Sequence, residues 1–208
     1  KLGTLGTLGA ARASGASFEA ESTSHMSVVD AAGDIVSLTS SIESAFGARI
    51  MAAGFLLNNQ LTDFSFRPGA DGALVANRVQ PGKRPRSSMT PVIVFDGSRQ
   101  PIIAIGSPGG PLIISYVARA LVEVLARGAT LQAAVDLPHV ANRNGATELE
   151  RGTSAESLAT GLGLLGHRTR TNDMTSGLHG FERVKGPRGE LFWRSGIDPR
   201  REGAARGD

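Results

Sequence analysis

The sequence has no cysteine, which excludes a disulfide framework and any thiolate metal site but leaves the compartment open, since many exported bacterial proteins also lack it. Aromatic residues are scarce, with one Trp and one Tyr among 208 residues. The two tightest basic clusters, Lys83-Arg84-Pro85-Arg86 and Arg200-Arg201, have no aromatic interleaved to stack on bases. With a net charge of only +3, nucleic-acid binding is not expected as a primary role. No apolar run is long enough for a membrane span, and no charged segment followed by an apolar one marks a signal peptide. The chain opens on Lys1 rather than Met, so a piece of a longer precursor is expected, with any export signal upstream. The four histidines, His25, His139, His167 and His179, are far apart among few paired carboxylates, and no metal is expected.

What is present is a globular composition, 40% apolar, enough for one substantial core or two small ones. Residues 1–22 are rich in Gly, Ala and Ser with a short LGT duplication, the composition of a flexible tail; residues 23–208 form the folded portion. "MSVVD" and "DIVSLTSS" flank Ala31-Ala32-Gly33-Asp34, a hairpin pattern. "GFLLNNQLTDFSF" runs from apolar residues into a polar loop, and "GADGALVANRVQPGKRP" has the Gly and Pro density of irregular chain. "PVIVFDGSRQPIIAIG" predicts a second hairpin around Asp96-Gly97-Ser98. "PLIISYVARALVEVLARG" predicts about four helical turns closed by Gly128. "TLQAAVDLP" predicts a short helix stopped at Pro138, and "SAESLATGLGLLGH" another with Ser154 as N-cap. The C-terminal stretch predicts a hairpin about Gly186-Pro187-Arg188-Gly189 and then a polar tail. Strands, then helices, then strands imply an α+β fold with antiparallel sheet.

Taken by themselves, Thr23, Ser24 and His25 are weak as a catalytic group, because strand neighbours point to opposite faces. The plainer alternative has Ser22 and Thr23 satisfying turn amides and His25 half-exposed. The position matters more: a cut where the tail meets the strand would expose a new amino terminus. A terminal Thr carries nucleophile and base together, since its α-amine can take the proton from its own hydroxyl. "GSPGG" joins a strand to a helix without either phosphate-loop spacing, so it is a plain turn or a set of close-approaching backbone N–H groups.

Five blocks in order, "TSHMSVVDAAGDIVSLTSSIESAFG", "GFLLNNQLTDFS", "PGKRPRSSMTP", "GSPGG" and "DPRREGAA", resemble the small subunit of gamma-glutamyltranspeptidases. The resemblance implies an N-terminal nucleophile hydrolase, a four-layer αββα sandwich of which this chain supplies the small-subunit part. It implies self-cleavage between Ser22 and Thr23, with residues 1–22 ending the large subunit and Thr23 as nucleophile. Ser41 falls where the family has a second Thr orienting that nucleophile. Glu43, Gln60 and Asp63 fall in the cluster that holds the substrate α-ammonium, where two carboxylates and an amide oxygen suit a cation shedding water. Ser87 and Ser88 match the serine pair for the α-carboxylate; the family's carboxylate-binding Arg belongs to the large subunit, and neither Arg84 nor Arg86 replaces it. Gly109 and Gly110 match the oxyanion hole.

The implied activity is γ-glutamyl transfer to water or to an amine without a cofactor, with the large subunit of the same precursor as partner and no nucleic acid. The resemblance also favours a periplasmic or secreted location. Departures are Ser41 in place of Thr, Glu43 where many relatives have Asn, and a stretch from Ser65 to Ser87 without the Tyr of a long lid. An open pocket would admit larger donors, so a cephalosporin or glutaryl acylase, or a poly-γ-glutamate hydrolase, is the alternative on this fold. The alternative of another class is an uncleaved binding protein. Without the surrounding blocks, Glu43 reads as a solvated strand residue and the serines as ordinary strand-edge hydroxyls.

Overall fold

The computed structural model describes residues 23–70 and 72–207; the expected tail and Ser22, which precedes the expected cleavage point, lie outside them. Thr23–Val29 (β1) and Ile35–Ser41 (β2) pair antiparallel along their whole length. Asp30 closes the turn, its Oδ1 accepting from Ala32 N and Asp34 N, each at 2.9 Å, and Gly33 takes the left-handed conformation such a turn requires, φ 90°.

Two compact units result. Residues 42–87 form the smaller, with Met51–Ala52 (β3) against Phe55–Leu56 (β4), a 3₁₀ turn over Gln60–Asp63, and Gly69–Ala70 (β5) against Ala73–Leu74 (β6). As the Gly and Pro density predicts, regular structure is minimal. Phe64 and Val75 are its buried apolar side chains among the described residues.

Residues 23–41 and 88–207 form the larger unit. Val92–Phe95 (β7) and Pro101–Gly106 (β8) make the second expected hairpin, and Ile113–Arg127 (α1) ends on Gly128 in the left-handed conformation. Leu131–Asp136 (α2) is capped by Thr130, whose Oγ1 accepts from Ala133 N. Val140–Ala141 (β9) and Thr147–Glu150 (β10) follow. The next segment corrects the expected cap: Thr153 is extended and its Oγ1 accepts from Ala155 N, so Ser154 is already inside a 3₁₀ turn, Ser154–Leu158. The α-helix proper is only Ala159–Leu164 (α3), shortened by Gly161 and Gly163. Thr169–Asn172 (β11), His179–Lys185 (β12) and Leu191–Ile197 (β13) complete the chain.

Strands β13-β12-β8-β7 form one antiparallel sheet; β11-β10-β9 form another, in which β10 and β11 run parallel. This small sheet was not anticipated, because all four residues of β10 are buried although two are Glu. The four-stranded sheet is covered on both sides. Ile103 and Ile105 enter one core with Ile113, Tyr116 and Val117 of α1 and Leu131 and Val135 of α2. From the intervening positions of β8, Gly106 faces the β1–β2 hairpin, with room for the His25 ring because it has no Cβ. Each fully buried aliphatic side chain in that core contributes about 1.5–3 kcal/mol. Leu131→Ala should therefore lower the free energy of unfolding by about 2–5 kcal/mol, whereas Leu125→Ala on the exposed side of α1 should change it by less than about 0.5 kcal/mol; urea unfolding measures both.

Candidate active site

Alternation along the hairpin sends Thr23, His25 and Ser27 to one face and Met26 and Val28 to the other. The register sets Thr23 against Ser41, His25 against Thr39 and Ser27 against Ser37 on the first face, with Leu38 opposite Met26 and Val36 opposite Val28 on the second. Here the usual polarity is reversed. The hydroxyl and imidazole side is the inner one, with Thr23, His25 and Thr39 all buried, while Met26, Val28, Val36 and Leu38 are exposed.

Thr23 and Ser41 are direct cross-strand partners, a relation that brings Cβ atoms to about 4.5–5.5 Å and their hydroxyls within mutual reach. Thr23 lines a cavity of about 760 Å³ together with Pro108, Leu178, His179, Asp198 and Arg201. His25, adjacent in sequence, is engaged elsewhere: its Nδ1 lies 2.8 Å from Thr39 Oγ1 and its Nε2 3.0 Å from Ser27 Oγ. A Cβ on Gly106 would come within 2.2 Å of the ring. The expectation of a half-exposed His25 is corrected: the inner face of the hairpin is covered by the sheet. Burial, and after it the neighbouring His179, lowers the His25 pKa to about 4. The ring is a neutral structural group.

Gly109 and Gly110 are buried between β8 and α1, both at positive φ, 129° and 54°. A Cβ at Gly109 would stand 2.6 Å from the Tyr116 ring, so glycine is required here for space as well as for conformation. The turn precedes a helix, where backbone N–H groups lack intrahelical acceptors. Ser107 braces it, donating to Pro108 O at 2.6 Å and accepting from Gly177 N at 3.1 Å. Pro108 lines the Thr23 cavity.

In the smaller unit the three residues expected to act together do meet. Gln60 Nε2 donates to Glu43 Oε2 at 3.2 Å and to Asp63 Oδ2 at 3.3 Å. Both carboxylates are buried, and Asp63 Oδ1 has no hydrogen-bond partner. A buried acceptor left unmatched costs about 1–3 kcal/mol, and a cationic donor would recover it. Glu43 is thus no solvated strand residue; it sits just beyond β2 with φ 74°, a conformation costing a side-chain-bearing residue on the order of 1 kcal/mol. Hydrogen bonds on either side hold it, Asn59 N to Ile42 O and Ser44 N to Asn59 Oδ1. Ser87 is exposed and Ser88 half-buried on the connection leading to β7, and Ser88 O accepts from Thr90 Oγ1 at 2.8 Å.

Several residues of the larger unit escaped notice in the sequence. The segment after β13 is no free polar tail: Arg200 ion-pairs with Glu150 and Asp198, and Arg201 Nε donates to Thr175 O at 2.9 Å. His139 is among paired carboxylates after all, its backbone N–H donating to Glu150 Oε2 at 2.7 Å. Burial pushes the Glu150 carboxyl up, but the Arg200 guanidinium and the His139 amide bring it below its ordinary value. The Asp-Pro-Arg of "DPRREGAA" was the available signal, an acid and a base on either side of a rigid residue.

The sequence profile described as gamma-glutamyltranspeptidase matches residues 7–208. A glutathione hydrolase proenzyme of Bacillus subtilis (strain 168) is 40% identical over 158 residues, covering 74% of this chain and 26% of that protein. Acylase ACY 1 proenzyme of a Pseudomonas species (strain SE83) is 33% identical over 161 residues, covering 76% of this chain and 28% of the other. The chain therefore spans about a quarter of the length of these curated relatives. Among solved structures, a mutant of Helicobacter pylori gamma-glutamyltranspeptidase superimposes with a TM-score of 0.75 at 30% identity, covering 85% of this chain and 99% of that one. The mixed α+β architecture is thus the N-terminal nucleophile hydrolase fold, and the chain belongs to the gamma-glutamyltranspeptidase family.

Proposed function

We propose that this chain is the nucleophile-bearing portion of a γ-glutamyl acyltransferase, hydrolysing glutathione and other γ-glutamyl amides or passing the γ-glutamyl group to an amino acid or peptide. The observation that carries the reading is Thr23, buried opposite Ser41 at the head of β1 and facing a cavity large enough for a small peptide. Cleavage of the Ser22–Thr23 bond frees the Thr23 α-amine, and the names of the Bacillus subtilis and Pseudomonas relatives, both proenzymes, support such a step. The Thr23 hydroxyl then attacks the γ-carbonyl while its proton passes to that amine. The N–H groups of Gly109 and Gly110 receive the oxyanion. Collapse breaks the amide C–N bond, the leaving amine takes the proton, and a γ-glutamyl ester remains on Thr23 for water or an acceptor amine to resolve.

Ser41 orients the Thr23 hydroxyl across the hairpin. Glu43, Gln60 and Asp63 take the substrate α-ammonium, whose N–H groups satisfy Asp63 Oδ1. Ser87 and Ser88 supply hydroxyls to the α-carboxylate, with the remaining charge compensation from the large subunit of the same precursor. The exposed apolar side of the β1–β2 hairpin supports such a partner, since a sheet face of this kind calls for a covering layer. The second reading, an acylase for larger donors, is favoured by the ACY 1 relative and by the short ribbons between Ser65 and Ser87, which carry no Tyr.

In the full-length protein, Thr23→Ala should abolish both chain cleavage and γ-glutamyl-p-nitroanilide turnover, read by mass spectrometry and absorbance, while Thr23→Ser retains both in part. Undiminished cleavage and turnover in the Ala variant would refute the assignment, and turnover of a glutaryl amide above that of the γ-glutamyl one would favour the acylase. Asp63→Asn removes one charged partner of the ammonium, worth about 1.5–3 kcal/mol, so KM should rise on the order of 10–100-fold with kcat changed much less. Because the base is the Thr23 amine and His25 stays neutral down to about 4, kcat/KM should rise with pH through the α-amino range of about 7.7–8.0. An acid limb near the ordinary imidazole value that disappears in His25→Asn would contradict this.

A further inference from the structure

Behind the Gly109–Gly110 turn, the half-buried Arg119 and three buried side chains form a hydrogen-bonded line whose direction is fixed by its first member. Arg119 Nη1 lies 3.2 Å from His139 Nδ1 and donates to Leu137 O at 3.1 Å. A guanidinium can only donate, so Nδ1 is the acceptor and the ring proton is on Nε2. That nitrogen lies 2.6 Å from Ser176 Oγ, which it supplies, leaving the hydroxyl proton of Ser176 for Asp198 Oδ2. Asp198 Oδ2 also accepts from Leu178 N at 3.1 Å, and Oδ1 accepts from the backbone N and Nη1 of Arg200, each at 3.0 Å. His139, Ser176 and Asp198 are all buried. Reversing any link would set two donors or two acceptors face to face in a dry interior, at the cost of an unmatched polar group.

Two connections lead from this line to the glycine turn. The His139 ring packs on Tyr116 with centroids 4.3 Å apart, and the same Tyr116 ring occupies the space where a Gly109 side chain would be. Ser176 is followed by Gly177, whose N–H donates to Ser107 Oγ at 3.1 Å, and Ser107 donates in turn to Pro108 O. The turn is therefore held by an aromatic ring from the helix side and by a hydroxyl bridge from the strand side. His139 touches the elements that make both contacts.

We infer that His139 is a positioning residue: through Ser176 and Tyr116 it fixes the backbone of Gly109 and Gly110 in the attitude in which their N–H groups meet the developing oxyanion. This rests on the role given to those glycines above. His139 contacts no reacting atom. The line needs a neutral ring, and burial, followed by the charge of Arg200, lowers the His139 pKa to about 4, with Arg119 acting in the same sense and Glu150 and Asp198 opposing.

The test compares His139→Gln, His139→Leu and Ser176→Ala in the full-length cleaved enzyme, by γ-glutamyl-p-nitroanilide kinetics and by amide hydrogen exchange. Gln keeps a donor for Ser176 and an acceptor for Arg119; Leu keeps neither. Displacing oxyanion donors costs up to about 100-fold or more in rate, so the Leu and Ala variants should lose about 10–100-fold in kcat with KM within about threefold, and Gln should retain most of the parental kcat. Exchange in residues 106–116 should accelerate in the Leu and Ala variants while residues 23–41 keep the parental rate. Equal kcat losses in Gln and Leu with exchange raised uniformly, or parental kcat and exchange in Leu, would overturn the inference; if the Leu variant does not fold, Ser176→Ala decides by the same criteria. Should the parent fail to turn over the anilide at all, the functional reading falls by itself, and exchange alone then judges the positioning role: acceleration confined to residues 106–116 supports it and unchanged exchange overturns it.

Discussion

A hairpin that turns its hydroxyls inward and its aliphatic side chains outward must be stabilised on both faces by something other than itself. On the inner face the requirement is stoichiometric. Thr39 and Ser27 take the two nitrogens of His25, Ser37 Oγ donates to Ile105 O, and Thr23 stands beside Ser41. Such contacts need close approach, and the four-stranded sheet permits it by presenting Gly106 beneath the imidazole. Were that residue larger, the imidazole would be displaced and the hydroxyl pairs with it. The position of the candidate nucleophile is therefore a packing consequence of a missing side chain on a different strand.

The two halves of the proposed chemistry lie on scaffolds of different character. The acyl-transfer groups stand on long strands and at the mouth of a four-turn helix, where packing holds each atom against several neighbours. The proposed cation-binding cluster belongs to a smaller unit of short ribbons in which hydrogen bonds of Asn59 and Asn77 replace an extensive core. Precision is needed where bonds are made and broken; charge recognition tolerates more movement, since electrostatic attraction falls off slowly with distance. The small apolar core around Glu43 and Asp63 is compatible with a site that must admit and release a charged molecule.

Local pattern announced the elements whose causes are local. Asp96-Gly97-Ser98 and Gly128 specify a turn and a cap by their own conformational preferences, and the β7–β8 hairpin and α1 were legible from them. Family blocks placed Glu43, Gln60 and Asp63 in one cluster, and the geometry unites them through a single amide group. What stayed hidden depends on distant partners. Thr147–Glu150 has the polarity of an exposed strand, yet it is buried because Arg143 and Arg170 neutralise Glu148, to which Asn172 Nδ2 also donates, and Arg200 neutralises Glu150. His139, Ser176 and Asp198 are separated by dozens of residues, so no spacing rule relates them. Thr153 rather than Ser154 caps the next turn because extended backbone, not hydroxyl content, decides which of two adjacent capping residues lies outside the helix.

The turn closed by Asp30 has a bearing on how such a hairpin can evolve. Its carboxylate accepts from two backbone N–H groups and so favours one count of residues between the strands, and alternation carries that count outward to both ends. Were β2 to slip by a single residue against β1, its faces would exchange: Ser40, Leu38 and Val36 would turn inward, and Ser41, Thr39 and Ser37 outward. Insertions there are thus tolerated where the loop itself or a bulge takes up the added residue and the register of the strands is kept.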